Sequence, residues 1–307
     1  YDQDDNLVSP SIFQGENQTK KYTETSFFIH DQFSYSDNND IYYGIRYTDA
    51  MNFSDKCIIA LSIINRHSSG YNVRLNFSSG YRIPSLKELY YEYPAHFIPL
   101  YGNPELKPTL SKSYSLSFDK RSEVNNFSID FYLRNIKDFI STEYVDVGLI
   151  YRNYDYVLIN GFNVNYRRKI TDKSSIKFIY NYISMDSDSN EILELVSEHA
   201  LYIKYKYSIA DNFLLLAEMS YAGEKSNFSQ ENDIQELPAI TILDPYWITD
   251  LVFSCNLNYN YDFKFGIKNI FDYKDSNRFE GTDLLNSYDP GRRFYFEIKT
   301  NFRKGDK

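Results

Sequence analysis

The sequence predicts an all-β protein whose fold is an antiparallel transmembrane β-barrel. Three observations support this: apolar and polar residues alternate along many segments, the connections between these segments alternate between short and long, and every proline falls in an outer connection. The segment from Tyr71 to Phe77 is typical, because its odd positions are apolar or aromatic and its even positions are Asn72, Arg74 and Asn76. Period-two alternation indicates strands with one apolar face, and it lets a barrel cross a membrane at low mean hydropathy.

The alternating segments predict about thirteen strands. They are residues 22–34, 40–50, 56–66, 71–80, 111–120, 126–140, 154–167, 174–186, 198–208, 212–224, 246–258, 262–272 and 291–302. Short turns lie on one side, at 36–39, 67–70, 121–125, 171–174, 210–212 and 259–262. Longer loops lie on the other, at 81–110, 141–153, 187–197, 225–245 and 273–290, with only 51–55 brief. This asymmetry is typical of outer-membrane barrels, whose turns are periplasmic and whose loops are extracellular.

Proline tests the strand assignment independently, because it cannot donate a hydrogen bond within a sheet. All nine prolines lie in the proposed outer segments: Pro10, Pro84, Pro94, Pro99, Pro104, Pro108, Pro238, Pro245 and Pro290. A soluble β-sandwich or propeller is the alternative fold, but it predicts no such asymmetry. One short helix is predicted at 85–93, where Ser85 and Glu88 resemble a capping box.

Composition excludes several other classes of protein. The net charge is −9 without a basic block, which argues against nucleic acid as a partner. Cys57 and Cys255 are too few for a disulfide framework or a zinc site, and no apolar stretch approaches the ~18 residues of a transmembrane helix. The motifs of a nucleophile elbow, a phosphate loop or a metalloprotease are absent, so the protein is predicted not to be an enzyme and to require no cofactor.

The predicted strand number suggests that residues 1–307 are one part of a larger barrel. Residues 1–21 are expected in an extracellular loop, 22–303 in strands and loops, and 304–307 in a periplasmic tail. Thirteen is odd, whereas single-chain bacterial outer-membrane barrels have even numbers, and an open sheet leaves two unpaired edges in lipid. We therefore expect an upstream segment or a separate chain to supply the missing strands.

Two sequence boxes carry a family resemblance. The segment Gly80-Tyr-Arg-Ile-Pro-Ser-Leu-Lys-Glu-Leu-Tyr90, followed by Gly102-Asn-Pro-Glu-Leu-Lys-Pro108, resembles the paired boxes of TonB-dependent outer-membrane receptors. Those boxes run aromatic-Arg-Ala-Pro and then Asn-Pro-Asp/Asn-Leu-Lys-Pro, so Ile83 and Glu105 are mild departures. The segments 267–273 and 290–294 resemble the end of the family's penultimate strand and the start of its last. The matching motif residues are Tyr81, Arg82, Pro84, Asn103, Pro104, Leu106 and Pro108.

The resemblance implies an architecture and a set of partners. The family's barrel has twenty-two strands, and its paired boxes lie in the seventh outer loop, after the thirteenth strand. Counting back from the last predicted strand makes 71–80 the thirteenth, so about nine strands and the N-terminal plug domain are absent from this chain. The implied partners are the TonB-ExbB-ExbD energy-transducing system acting through the missing plug, and outer-membrane lipid and lipopolysaccharide.

The resemblance also points to candidate ligand-binding residues in loop 81–110. In the family's haem receptors a histidine between the boxes is an axial iron ligand, which makes His96 a candidate metal ligand; the alternative is a solvated loop histidine. The nearby tyrosines could stack on a porphyrin or catecholate, or bind iron as phenolates: Tyr90, Tyr91, Tyr93 and Tyr101. Arg82 could pair with an anionic ligand, or it could organise the loop against Glu88.

The expected function is TonB-dependent import of a scarce nutrient, an iron-siderophore, haem or a similar compound, across the bacterial outer membrane. Two alternatives remain open: an outer-membrane barrel that serves as a structural or assembly subunit without transport, and a passive porin.

Overall fold

The computed structural model describes residues 21–93, 99–145, 148–188, 197–229, 239–258, 261–274 and 291–300. Of the predicted outer loop 1–21, only residue 21 is among them. The predicted tail 304–307 and His96 lie outside the described residues.

Thirteen long strands follow one another in sequence order in the described part of the chain, each hydrogen-bonded to the next. Their bounds are β1 Glu24–Ser36, β2 Asn39–Ala50, β3 Lys56–Arg66, β4 Tyr71–Arg82, β7 Thr109–Arg121, β8 Asn125–Val145, β9 Gly148–Thr171, β10 Ser174–Ser187, β11 His199–Ala210, β12 Phe213–Ala222, β15 Tyr246–Asn258, β16 Tyr261–Lys268 and β17 Arg293–Thr300. The pairs from β1 to β4, from β10 to β12, and from β12 through β15 and β16 to β17 are antiparallel. The number and order of strands confirm the prediction.

The remaining elements lie in the longer connections. They are the helix α1 Leu86–Tyr90 and the strands β5 Glu92–Tyr93, β6 Leu100–Tyr101, β13 Lys225–Ser229 and β14 Ala239–Leu243. β13 and β14 form a separate two-stranded sheet. No helix in the described ranges is long and apolar enough to cross a membrane.

The period-two pattern gives each strand two chemically different faces. On β17, Phe294 and Phe296 are 65% and 63% exposed, which is costly in water but favourable against lipid. Glu297, on the other face of β17, pairs with Lys264 of β16 at 3.0 Å. Apolar side chains on one face and ion pairs on the other are the arrangement expected of an outer-membrane strand.

The short connections are confirmed as tight turns at 37–38, 67–70, 122–124, 172–173 and 211–212, whereas 259–260 lies outside the described residues. In the β1–β2 turn, Ser36 pairs with Asn39 but Ser34 pairs with Asp40, so the register shifts by one residue. The same shift follows the β11–β12 turn. Such bulges increase the local twist of a hairpin.

The prediction of a long loop at 141–153 is wrong. Strands β8 and β9 extend to 21 and 24 residues and replace most of it. The segment is rich in aromatic and β-branched residues, which favour extended backbone, and Arg152 pairs with Glu143 at 2.5 Å. Two strands therefore project well beyond the ~9–11 residues that span a membrane.

Three other boundaries differ from the prediction. The helix ends at Tyr90 rather than at 93, and the predicted loop 225–245 contains the β13–β14 hairpin. Strand β16 ends at Lys268 rather than at 272, because Asn269 and Asp272 have φ values of 51° and 56°. A positive φ interrupts extended backbone.

Contacts divide the chain into two compact units. Unit 1 comprises 1–117, 131–160 and 184–193, and unit 2 comprises 118–130, 161–183 and 194–307. Within unit 1, Leu89, Leu106 and Ile140 form a buried cluster. Within unit 2, the amide of Asn269 is buried and donates to the carbonyl of Tyr273 at 2.8 Å.

Candidate functional site

Helix α1 is the first element after β4 in loop 81–110. Ser85 is its N-cap, and its hydroxyl accepts from the backbone N–H of Glu88 at 3.2 Å. The Glu88 carboxylate accepts in return from the backbone N–H of Ser85 at 2.7 Å. This reciprocal pair is the capping box that the sequence predicts, and it satisfies two helix-terminal donors in a helix of only five residues.

Arg82 fixes the start of the same helix. Its Nη1 donates to both carboxylate oxygens of Glu88, at 3.0 and 2.9 Å. Arg82 is 49% exposed at its side chain and Glu88 only 15%. The structural alternative for Arg82, organising the loop against Glu88, is therefore observed; contact with a ligand stays a prediction.

The chain after the helix returns to the sheet through two short strands. β5 pairs with β6, Glu92 opposite Tyr101 and Tyr93 opposite Leu100. β6 then pairs in parallel with the projecting part of β9, Leu100 opposite Leu149 and Tyr101 opposite Ile150. The loop is thus joined to a strand that does not adjoin it in sequence.

The second box closes the loop against the first. Gly102 donates its N–H to the carbonyl of Tyr91 at 2.6 Å, and Asn103 donates its own to the carbonyl of Glu88 at 2.8 Å. A Cβ on Gly102 would lie 2.7 Å from the backbone of Leu89 and of Tyr90. Real Cβ atoms do not approach backbone so closely, so glycine is required here.

Asn103 connects three segments. Its Oδ1 accepts from the backbone N–H of Glu105 at 2.9 Å, which forms an Asx turn around Pro104. Its Nδ2 donates to the carbonyl of Tyr151 on β9 at 3.0 Å. The local turn was predictable from the sequence, whereas the bond to β9 was not.

Apolar residues of both boxes pack into one core. Pro84, Leu86 and Leu89 are almost fully buried, and so is Leu106 from the second box. Leu89 and Leu106 meet Ile140 of β8, and Phe53 and Tyr151 pack against this cluster. Leu106, the leucine of the second box, therefore packs in the core of the loop.

A small polar network holds the chain where it enters β7. Asn153 accepts from the N–H of Lys107 at 2.7 Å and donates to the carbonyls of Lys107 and Asp138, each at 2.9 Å. Thr109 donates its hydroxyl to the same carbonyl of Asp138 at 2.9 Å. Asp138 has a φ of 52°, which turns its carbonyl out of the regular β8 ladder.

The folded loop carries a group of aromatic and cationic side chains. Tyr91 and Tyr93 stack with ring centroids 6.0 Å apart, and the Lys87 ammonium lies 5.3 Å from the Tyr91 ring centroid. Tyr90 and Tyr93 are partly exposed, and Tyr101 lies on β6. On β9, the Arg152 guanidinium lies 5.1 Å from the ring centroid of Tyr154. This surface can stack on flat aromatic groups and attract negative charge.

Tyr151 differs from the exposed tyrosines in its electrostatics. It lies outside the predicted membrane-spanning stretch 154–167. Burial raises its pKa above the usual value of 10, and the neighbouring Glu88 and Tyr91 raise the pKa further. Its phenol therefore stays neutral at pH 7.

No group of three or more His, Cys, Asp or Glu side chains in the described ranges could hold a metal ion. His96, the candidate haem ligand, lies outside those ranges. Cys57 and Cys255 are free thiols.

The family model of the TonB dependent receptor-like β-barrel matches residues 1–270. The chain belongs to this family. The family, and with it the predicted fold class of a partial antiparallel transmembrane barrel without its plug, is thereby confirmed.

Relatives of this TonB-dependent receptor barrel include the probable TonB-dependent siderophore receptor PirA of Acinetobacter baumannii, which is 22% identical over 342 residues and covers 95% of the chain and 44% of its own length. The crystal structure of PirA from A. baumannii has a TM-score of 0.75 at 17% identity, covering 94% of the chain and 47% of PirA. The G324V mutant of the ferric enterobactin receptor PfeA from Pseudomonas aeruginosa has a TM-score of 0.74 at 16% identity. The match covers 96% of the chain and 47% of PfeA.

The copper transporter OprC has a TM-score of 0.71 at 12% identity, covering 92% of the chain and 48% of OprC. The chain therefore spans less than half the length of each of these proteins.

In this receptor barrel the sequence missed the contribution of β8 and β9 to the site. Tyr151 and Asn153 bind the second box, and Asp138 accepts from Asn153 and Thr109, yet Tyr151 and Asn153 fall in a segment predicted as a loop. The alternation of aromatic and β-branched residues through 144–156 was the available signal for an extended hairpin.

The Arg82–Glu88 pair yields a prediction that separates its two roles. Replacing Arg82 by alanine in the whole receptor is expected to lower stability by no more than about 1 kcal/mol, because half-exposed ion pairs are screened by water. Ligand affinity should then change less than about tenfold, which isothermal titration would measure. A larger loss with an unchanged thermal midpoint would place Arg82 against the ligand, and Lys120→Ala serves as the control.

Proposed function

We propose that this chain is the barrel part of a TonB-dependent importer that takes up a ferric siderophore across the outer membrane. The single observation that carries the proposal is the fold of loop 81–110. Both family boxes are used to tie this loop to β8 and β9, and the tied loop presents Tyr91, Tyr93 and Lys87 as a group.

The chemistry of this surface suits an iron chelate of aromatic groups. Catecholate rings can stack on Tyr91 and Tyr93, and a net negative chelate is attracted by Lys87. PirA and PfeA are named as siderophore and ferric enterobactin receptors, which supports this ligand class over haem. OprC is named as a copper transporter, so proteins of this fold are not confined to siderophores.

The remaining parts of the machinery follow from this proposal. The chain lies in the outer membrane as a multi-pass barrel with its loops extracellular. The plug and the missing strands come from the N-terminal part of the protein or from a separate chain, and TonB-ExbB-ExbD acts on the plug to open a path. The protein supplies binding and a conduit, and it makes and breaks no covalent bond.

Uptake of radioactive iron tests the proposal directly. The complete receptor is expressed in cells that lack their own siderophore receptors, with and without TonB, and is given ferric enterobactin. Uptake is expected only with TonB. Tyr91→Ala/Tyr93→Ala should weaken surface binding about tenfold, since each aromatic contact is worth roughly 0.5–1.5 kcal/mol.

The matched control is Tyr43→Ala/Tyr114→Ala, which removes two exposed tyrosines from membrane-spanning strands and should leave binding unchanged. Uptake without TonB would favour a passive porin, and no uptake of any ferric chelate would favour a structural subunit. A hemin absorbance titration of wild type beside His96→Ala tests haem: a saturable shift that weakens in the variant would replace the siderophore proposal.

A further inference from the structure

Two adjoining cavities lie at the short-turn ends of strands within unit 2. Their volumes are about 330 and 320 Å³, and they share Asn126 and Arg167 as lining residues. The first also contacts the β9–β10 turn and Lys206 of β11; the second extends towards Arg121 of β7 and Lys177 of β10. Together they approach the size of small-ligand pockets.

The lining is strongly basic. Arg167, Lys169, Lys173 and Lys206 border the first cavity, against only two carboxylates, Glu123 and Asp172. Asp172 is already paired with Lys169 at 2.9 Å. In the second cavity, Asp119 is paired with Arg121 at 3.7 Å.

Four of these cations form no ion pair with a carboxylate in the described part of the chain: Arg167, Lys173, Lys177 and Lys206. In contrast, the ammonium of Lys204, two residues before Lys206 on β11, lies 2.7 Å from Glu218. Within the described residues, these cations concentrate positive charge at one place.

The strand register brings these charges close together. Lys177 of β10 lies directly opposite Lys204 of β11, and Ser175 lies opposite Lys206. Lys177 and Lys206 are therefore diagonal neighbours, roughly 7–8 Å apart along adjacent strands. Like charges so placed repel each other, and a bound anion removes that repulsion.

Neutral donors complete the surroundings. The hydroxyls of Thr171, Ser175 and Ser208 and the amide of Asn126 line the first cavity, and Asn165 lines the second. Arginine, lysine, hydroxyl and amide groups are the donors that phosphate, sulfonate and carboxylate oxygens accept from.

We propose that Arg167, Lys177 and Lys206 form a binding site for a small polyanion at the periplasmic end of the lumen. The polar strand face lines the interior of an outer-membrane barrel and the short turns face the periplasm. The site rests on the proposed function in one respect, because the polyanion is taken to be the negatively charged ferric chelate. After release from the extracellular loops, the chelate would bind here before it leaves the barrel.

The test uses the complete receptor in detergent and pyranine, a fluorescent trisulfonate, as the probe. Wild type should bind pyranine saturably, with affinity falling as salt rises. Arg167→Gln/Lys206→Gln should weaken binding at least about tenfold, because two charge-assisted contacts are lost. Arg167→Lys/Lys206→Arg, which keeps both charges, should bind nearly as well as wild type.

Arg168→Gln/Lys120→Gln is the charge-matched control. Neither Arg168 nor Lys120 lines either cavity, although each is adjacent in sequence to a lining cation, Arg167 on β9 and Arg121 on β7. Pyranine binding should be unchanged in this variant. No binding by wild type, or an equal loss in the control, would overturn the proposal, as would a glutamine variant that binds as wild type does.

Iron uptake separates this proposal from the proposed function. The glutamine variant should keep wild-type affinity for ferric enterobactin at the cell surface but import it more slowly. Pyranine binding together with no TonB-dependent uptake would reject the importer and keep the anion site. TonB-dependent uptake by wild type without pyranine binding would reject the anion site alone.

Discussion

Replacing Gly102 by alanine is expected to weaken ligand binding by the whole receptor about tenfold or more. The new Cβ would lie 2.7 Å from the backbone of Leu89 and Tyr90 and 2.8 Å from that of Tyr91. Since backbone cannot move as a side-chain tip can, helix α1 must separate from the second box. Tyr91 and Lys87 then lose their position on the loop.

The measurement is titration with ferric enterobactin, accompanied by limited proteolysis of the loop. Gly44→Ala is the matched control, because a Cβ there meets its nearest atoms at 3.6 Å, an ordinary contact. Unchanged affinity in Gly102→Ala, with the loop as resistant to protease as in wild type, would show that the contact between the boxes does not position the ligand.

Replacing Leu106 by alanine is expected to destabilise the folded loop locally by about 2–4 kcal/mol. Leu106 is 4% exposed and packs with Leu89 and Ile140, so the truncation leaves a cavity at the centre of the cluster. Amide hydrogen exchange at Gly102, Asn103 and Leu106 should speed up by about 30-fold or more, because 1.4 kcal/mol corresponds to tenfold.

Leu106→Met is the volume-conserving control and should cost less than about 1.5 kcal/mol. Exchange in the strands away from the cluster should not change in either variant. Equal exchange in Leu106→Ala and wild type would mean that the polar contacts of Asn103 and Asn153 hold the loop without its apolar core.

Local patterns account for what the sequence predicted well. The thirteen strands were predictable because apolar residues recur at every second position along each strand. This pattern can be read without knowing which strands pair. Helix α1 was predictable because both halves of its capping box, Ser85 and Glu88, lie within one turn. The Asx turn at Asn103 is equally local.

Non-local contacts account for what was missed. The Asn103 amide meets the carbonyl of Tyr151 48 positions away, and a backbone carbonyl has no residue-specific signature in the sequence. The parallel pairing of β6 with β9 likewise depends on how far β9 projects. The prediction of a loop at 141–153 was wrong because the aromatic and β-branched residues of this segment continue β8 and β9. The contacts of Tyr151 and Asn153 with the second box were therefore not predicted.

The bonds between loop 81–110 and β9 make the binding apparatus a discontinuous unit. Lys107 meets Asn153 across 46 positions and Asn103 meets Tyr151 across 48, so the loop lacks its supports until the β8–β9 hairpin is in place. During synthesis and insertion it should acquire its final shape after residues that follow it in the chain. Anyone transplanting this loop into another barrel would therefore have to move 138–153 with it, because half of its scaffold is encoded there.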